Sequence, residues 1–229
     1  FIAVFFIALA SGQKMLGIDS DLGRHLALGN YILEERVIPT RDLLSHTRTG
    51  LSRPPYEWLS QVIFALAHRL LGLDGVILLT SFVIAWTFLL LYRFAVRRSG
   101  PPILVLILTL LAAGASSLHW LPRPHIFTFL LLAVWIELLE RLSSDRQMSP
   151  GKLPLVMVLW VNIHGGFVFG ALAWIAYFAG WVWTVLRGTG DPKIGKNLLT
   201  AGGFSLATTF ITPDLWRNWE AVFNNRSAF

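Results

Sequence analysis

The chain contains no cysteine, which excludes disulfides and thiolate metal sites and leaves the compartment open. Charge is nearly as scarce. Only 14% of the 229 residues are Asp, Glu, Lys or Arg, where a soluble domain carries about 25%. The net charge of +6 is not gathered into a basic surface, so the sequence gives no nucleic-acid signal. A phosphate-binding glycine loop, a nucleophile elbow and a metalloprotease helix are also missing, and with them the common soluble-enzyme motifs. No repeat, low-complexity run or interdomain linker breaks the chain.

What is present is hydrocarbon. Hydrophobic residues make up 55%, with 10 Trp and 16 Phe. This predicts an all-α integral membrane protein, a polytopic transmembrane helical bundle. Apolar stretches run over Phe1–Ala10, Val76–Tyr92, Ile103–Ser117, Ile126–Leu139, Leu153–Ile163, Phe167–Leu186 and Leu198–Ile211. They predict about seven spans in a single transmembrane domain covering residues 1–229. The first run is too short to span and lacks signal-peptide features. Together with the ending at Phe229, it makes the sequence read as a fragment of a longer protein.

Trp58–Leu71, about 14 residues long, contains His68 and Arg69, and whether it crosses decides the topology after it. If it does not cross, Arg93, Arg97, Arg98, Arg141, Arg146, Lys152, Arg187, Lys193 and Lys196 share one side. The short opposite loops then hold only Arg123. The positive-inside rule selects this arrangement and makes Trp58–Leu71 an interfacial helix. Residues 13–75 become an extracytoplasmic loop. Within it, Asp19 or Ser20 is placed to cap a helix running to about Arg36, with Leu22, Leu26, Ile32 and Leu33 as its apolar stripe. Pro39 ends it, and Thr40–Pro55 reads as irregular.

Polar residues then gather at one membrane surface. Asp19 and Asp21 follow the first span, and His25 stands one turn after Asp21. A carboxylate placed there suits a general base for an acceptor hydroxyl; the alternative is that Asp19 caps the helix and Asp21 favours its positive end. Arg123, Pro124 and His125 open a span just after His119 and Trp120. Such an arginine can fork onto a phosphate or anchor an interface. Asn162, His164, Gly165 and Gly166 interrupt an apolar pattern, either as a polar cavity or as a plain turn. Glu57 charges the start of the helix that Trp58 anchors. The sequence specifies no cofactor, and a divalent cation is chemically compatible with Asp19, Asp21 and His25.

The order of these motifs carries a resemblance. Asp19 to Gly29, then Ile38, Pro39 and Asp42, then Glu57, Trp58 and Leu59, then Arg123, Pro124 and His125, then Trp160 to Gly166 follow a familiar succession. The chain resembles the N-terminal half of bacterial polytopic glycosyltransferases of the GT-C superfamily, related to the protein mannosyltransferase and lipid A aminoarabinose transferase group. The resemblance covers most of the chain and lies in the ordered set, since each motif is short. It departs from the family at Leu22 and Gly23, where aromatic residues are common, and at Thr212, Pro213 and Asp214, where Asn-Pro is common.

The resemblance implies a GT-C-like bundle in a bacterial inner membrane, with its active face extracytoplasmic. It implies a polyprenyl-phosphate sugar as donor, membrane lipid around it, and an unidentified acceptor hydroxyl. Asp21 or Asp19 would be the catalytic base, Asp21 the better match because His25 follows it. Arg123, with His125 or Arg24, would hold the donor phosphate. His25, Glu57, Asn162, His164, Gly165 and Gly166 would shape the site. Two alternatives stay open. One is a non-catalytic GT-C-like subunit of a larger membrane complex. The other is a pigment- or haem-binding subunit using His119, His125 and His164 as axial ligands.

Overall fold

The computed structural model describes residues 1–98, 100–145 and 147–223. Arg146, one of the basic residues used for topology, lies outside them. The described residues are helical, with no strand and a single isolated bridge between Arg41 and Ser52. The chain divides into two compact units, Phe1–Val37 with Trp58–Ala133, and Ile38–Glu57 with Val134–Phe229.

In the first unit, α1 (Ile2–Ala10) and α2 (Gly12–Ile18) follow one another across Ser11, whose hydroxyl donates to the Ile7 carbonyl at 2.9 Å. The helix expected to stop at Ala10 therefore continues to Ile18, because Met15, Leu16 and Ile18 keep the segment apolar. Helix α3 (Leu22–Glu35) buries Leu22, His25, Leu28, Gly29 and Ile32. The predicted stripe is thus shifted: His25 takes the place given to Leu26, and Leu33 lies at its flank. Gly29 permits this packing. A Cβ there would lie 2.1 Å from the Gln61 carbonyl oxygen of α4 (Trp58–Arg97). Arg69 of α4 reaches back to α3, donating to Asn30 Oδ1 at 2.7 Å and Glu34 Oε1 at 2.5 Å. The helix ends at Arg36 in the left-handed region, φ 56°, ahead of Pro39 as expected.

Helix α4 is two helices joined at a kink. Leu71 (φ −138°, ψ 19°) and Gly72 (φ 62°, ψ −149°) are non-helical, where the amphipathic Trp58–Leu71 stretch was expected to end. Helix α5 (Pro102–Ser116), a 3-10 turn (Ser117–His119) and the start of α6 (His125–Ser144) complete the unit. Its core joins Val4, Ala8, Met15, Ile84, Ala85, Phe88, Ala113 and Trp120. Trp120 is only 3% exposed, so it is a core residue rather than an interfacial anchor.

The second unit contains the rest of α6, then α7 (Lys152–Ile163), α8 (Phe167–Leu186), α9 (Pro192–Thr208) and α10 (Arg217–Phe223). Trp135 and Trp160 meet edge to face at 6.2 Å, and Trp135 Nε1 donates to the Gly170 carbonyl at 2.8 Å. The segment read as irregular is ordered around Asp42. Its Oδ1 accepts the Leu44 and Ser45 amides at 3.0 and 2.9 Å, and its Oδ2 accepts the Ser45 hydroxyl at 2.7 Å. Arg53 pairs with it at 3.3 Å.

Among the described residues three helices are long and apolar enough to cross a membrane: α4, Pro102–His119 and α8. The other predicted stretches differ physically. Helix α7 has 12 residues, about 18 Å of rise, and α6 carries Glu137, Glu140 and Arg141 in its last turns.

Candidate functional site

The turn Asp19–Asp21 links α2 to α3, and its geometry follows from the Asp-Ser-Asp order. Asp19 Oδ1 accepts the Asp21 amide at 2.9 Å, the side-chain-mimics-backbone turn that Asp favours. Asp21 occupies the N-cap position and makes no side-chain cap bond, so neither Asp19 nor Ser20 is the helix cap that the sequence predicts.

Arg123 closes this turn from 104 residues away. Its Nε donates to Asp19 Oδ1 at 2.7 Å, its Nη1 lies 3.1 Å from Asp21 Oδ2, and its Nη2 reaches Ser20 Oγ at 3.4 Å. One guanidinium therefore holds two carboxylates. Their environments differ: the Asp19 side chain is 0% exposed and the Asp21 side chain 44%. Asp19 Oδ2 is buried and accepts no hydrogen bond among the described residues. A buried carboxylate of this kind is stable only with its cation in place. The pairing leaves Asp21 as the accessible carboxylate and makes Arg123 an orienting group for it.

His125 begins α6, and its Nε2 lies 2.8 Å from the His119 carbonyl oxygen. A carbonyl only accepts, so Nε2 carries the proton and donates. Burial lowers the His125 pKa from its ordinary value, outweighing the rise from the His119 carbonyl, and the Arg123 charge lowers it further. The imidazole is neutral near pH 7 and brings no positive charge to a phosphate. Arg24 is half-buried in the first turn of α3, three residues after Asp21. His25 is 2% exposed, packed on the buried face of its helix. Among the described residues no group of three His, Asp or Glu could hold a metal ion. Asp19, Asp21 and His25 do not converge on a cation, and Arg123 occupies the place between the carboxylates.

The second unit has its own polar cluster. His164 ends α7 in an extended conformation, φ −163°, and its Nδ1 accepts the Gly166 amide at 3.0 Å. A neutral ring is then protonated at Nε2, which faces Glu57 Oε1 at 3.9 Å. Asn162 is 7% exposed, and its Nδ2 donates to the Val158 and Ile211 carbonyls at 2.8 and 2.9 Å. It is a structural tie rather than a lining group. Gly165 and Gly166 form the α7–α8 turn without a positive φ, so that turn does not need glycine's left-handed freedom.

Sequence reasoning gathered Asp19, Asp21 and Arg123 at one membrane surface but did not foresee that one cation would join both carboxylates. It missed Asp42 as the centre of a loop, although Asp followed by Ser three residues on is a known turn pattern. No protein-family model, curated protein or solved structure matches the chain.

Proposed function

We propose that this is a membrane glycosyltransferase that moves a sugar from a polyprenyl-phosphate donor to an extracytoplasmic acceptor hydroxyl in a bacterial inner membrane. One observation carries the reading: Arg123 pins a buried carboxylate and presents a second, accessible one, Asp21, on the same turn. That is how a general base is held in place without being shut away. Asp21 takes the acceptor proton as the hydroxyl oxygen attacks the anomeric carbon. The new carbon–oxygen bond forms as the bond to the donor phosphate breaks, and the phosphate leaves with the electron pair, inverting the centre. The guanidinium N–H groups that do not face carboxylates, with Arg24, stabilise the leaving phosphate. Asp19 and His125 position this loop. The GT-C-like bundle and the outer placement of the active face belong to this proposal.

The same pairing favours a second reading. A guanidinium already occupied by two carboxylates is also what a structural tie looks like, as in a non-catalytic subunit of a membrane complex.

Transfer in proteoliposomes, followed by mass spectrometry of the acceptor, separates the two. Asp21→Asn is expected to lower the rate at least about 100-fold, the usual scale of lost general-base catalysis, while the helical signal is retained. Full transfer by Asp21→Asn, or stoichiometric copurifying subunits with no transfer by the native chain, would establish the structural reading.

A further inference from the structure

Helix α8 is a candidate membrane span, and of the 18-residue window that defines it only 6% is buried inside the protein. Its C-terminal half nevertheless borders a cavity of about 500 Å³, walled by Ser143 of α6, Tyr177, Gly180 and Trp181 of α8, and Asp191 and Ile194 at the start of α9. The size is that of a ligand pocket. The lining is apolar because its polar groups point elsewhere. Tyr177 donates to Glu140 Oε2 at 2.9 Å, Trp181 Nε1 to the Asp191 carbonyl at 2.9 Å, and Thr184 to the Trp181 carbonyl at 2.7 Å. Asp191 caps α9 through the Lys193 amide at 2.9 Å. Only the buried Ser143 hydroxyl lacks a partner among the described residues. Aromatic and methylene surface facing a membrane suits a hydrocarbon chain, and no polar metabolite would recover its hydration there.

The charge beside this groove has one sign in excess. Arg141 is paired with Glu137. Arg187 instead lies over the Trp183 ring at 4.8 Å, one turn beyond the groove residue Thr184. Lys193 and Lys196 are exposed and flank Ile194. Three cations thus stand against two carboxylates, Asp191, which caps α9, and Glu140, which accepts from Tyr177. Basic residues between membrane helices select anionic headgroups.

We propose that this groove is a binding site for an anionic phospholipid, with an acyl chain along Tyr177, Gly180 and Trp181 and its phosphate at Arg187, Lys193 and Lys196. The site is independent of the glycosyl-transfer reading: its lining shares no residue with the Asp19, Asp21, Arg24, Arg123 and His125 set.

Gly180 supplies the steric test. A Cβ there meets nothing within 4 Å, so a side chain can start at this position, and Gly180→Leu puts a bulky one at the groove wall while raising helix propensity. The full chain in detergent would be titrated with phosphatidylglycerol and with phosphatidylcholine of identical acyl chains, and bound lipid counted by native mass spectrometry. The native chain is expected to retain phosphatidylglycerol selectively. Gly180→Leu should abolish that retention. Arg187→Gln, Lys193→Gln and Lys196→Gln should each weaken it roughly fivefold. Glycerol phosphate alone should not compete, because it lacks the chain. Equal retention of the two lipids by the native chain would overturn the proposal, as would competition by glycerol phosphate. If Gly180→Leu loses its helical signal, the triple Gln variant decides: unchanged lipid selectivity there refutes the site.

Discussion

The two units differ in the polar contacts that tie one element to another. In the first, ionised side chains meet each other: Arg123 with Asp19 and Asp21, and Arg69 with Glu34. In the second, the Arg53–Asp42, Arg141–Glu137 and Arg217–Asp214 pairs stay local in the chain, and neutral donors reach the carbonyls of other elements: Trp135 on Gly170, Trp174 on Leu198, Asn162 on Ile211 and Asn218 on Val161. A neutral donor satisfies a carbonyl at little desolvation cost, so it is an efficient way to fasten helices. Burying a charge is expensive and rarely adds stability. A fully buried Asp19 beside a half-exposed Asp21 is therefore the costly arrangement in the first unit, and it is the one on which the proposed chemistry rests.

The contrast can be broken by substitution. Arg123→Met should have the largest effect, about 3 kcal/mol of destabilisation, because Asp19 keeps a buried charge without its cation. Adding Asp19→Asn should recover much of that loss. Additive behaviour in denaturant unfolding would mean that the pair is not coupled. Asn162→Ala should cost less, about 2 kcal/mol, as two carbonyls lose their donor; a loss equal to that of Arg123→Met would erase the distinction between the units.

The smallest effect is local and depends on pH. Hydrogen bonds from the Ser45 hydroxyl, then from the Ser45 and Leu44 amides, with the Arg53 charge, outweigh burial and lower the Asp42 pKa from 3.8 to about 2. The folded value is the depressed one. The carboxylate therefore stabilises the loop fully above pH 3.8 and loses that contribution as pH falls toward 2. Hydrogen exchange at Gly50, whose amide donates to the Asp42 carbonyl at 2.8 Å, should quicken over that range. Exchange in Asp42→Asn should be fast throughout, and an unchanged rate in either case would remove Asp42 as the centre of the loop.

Much of the helical fold was legible in the sequence, because apolar runs and helix breakers are local signals. Pro39, the amphipathic stretch ending near Leu71 and the Asn162–Gly166 interruption all mark real boundaries. The partners were not legible. Nothing near Arg123 specifies Asp19, and nothing near His25 indicates that a histidine rather than Leu26 would lie on the buried face of α3. Those choices depend on which surfaces meet after collapse, as does the burial of Trp120, whose composition suits an interface equally well. The ordered motifs pointed to Asp21 and Arg123 as chemistry-bearing residues. That Arg123 would face the acids, and His125 a carbonyl, depends on three-dimensional placement.

Gly72 has a consequence for the length of α4. Its φ of 62° with ψ of −149° lies where a side chain is essentially forbidden. Any β-carbon at that position favours an unbroken helical rod of forty residues, about 60 Å long and twice the thickness of a hydrocarbon layer. The absence of one methyl group is what lets so long a helix break into two shorter ones.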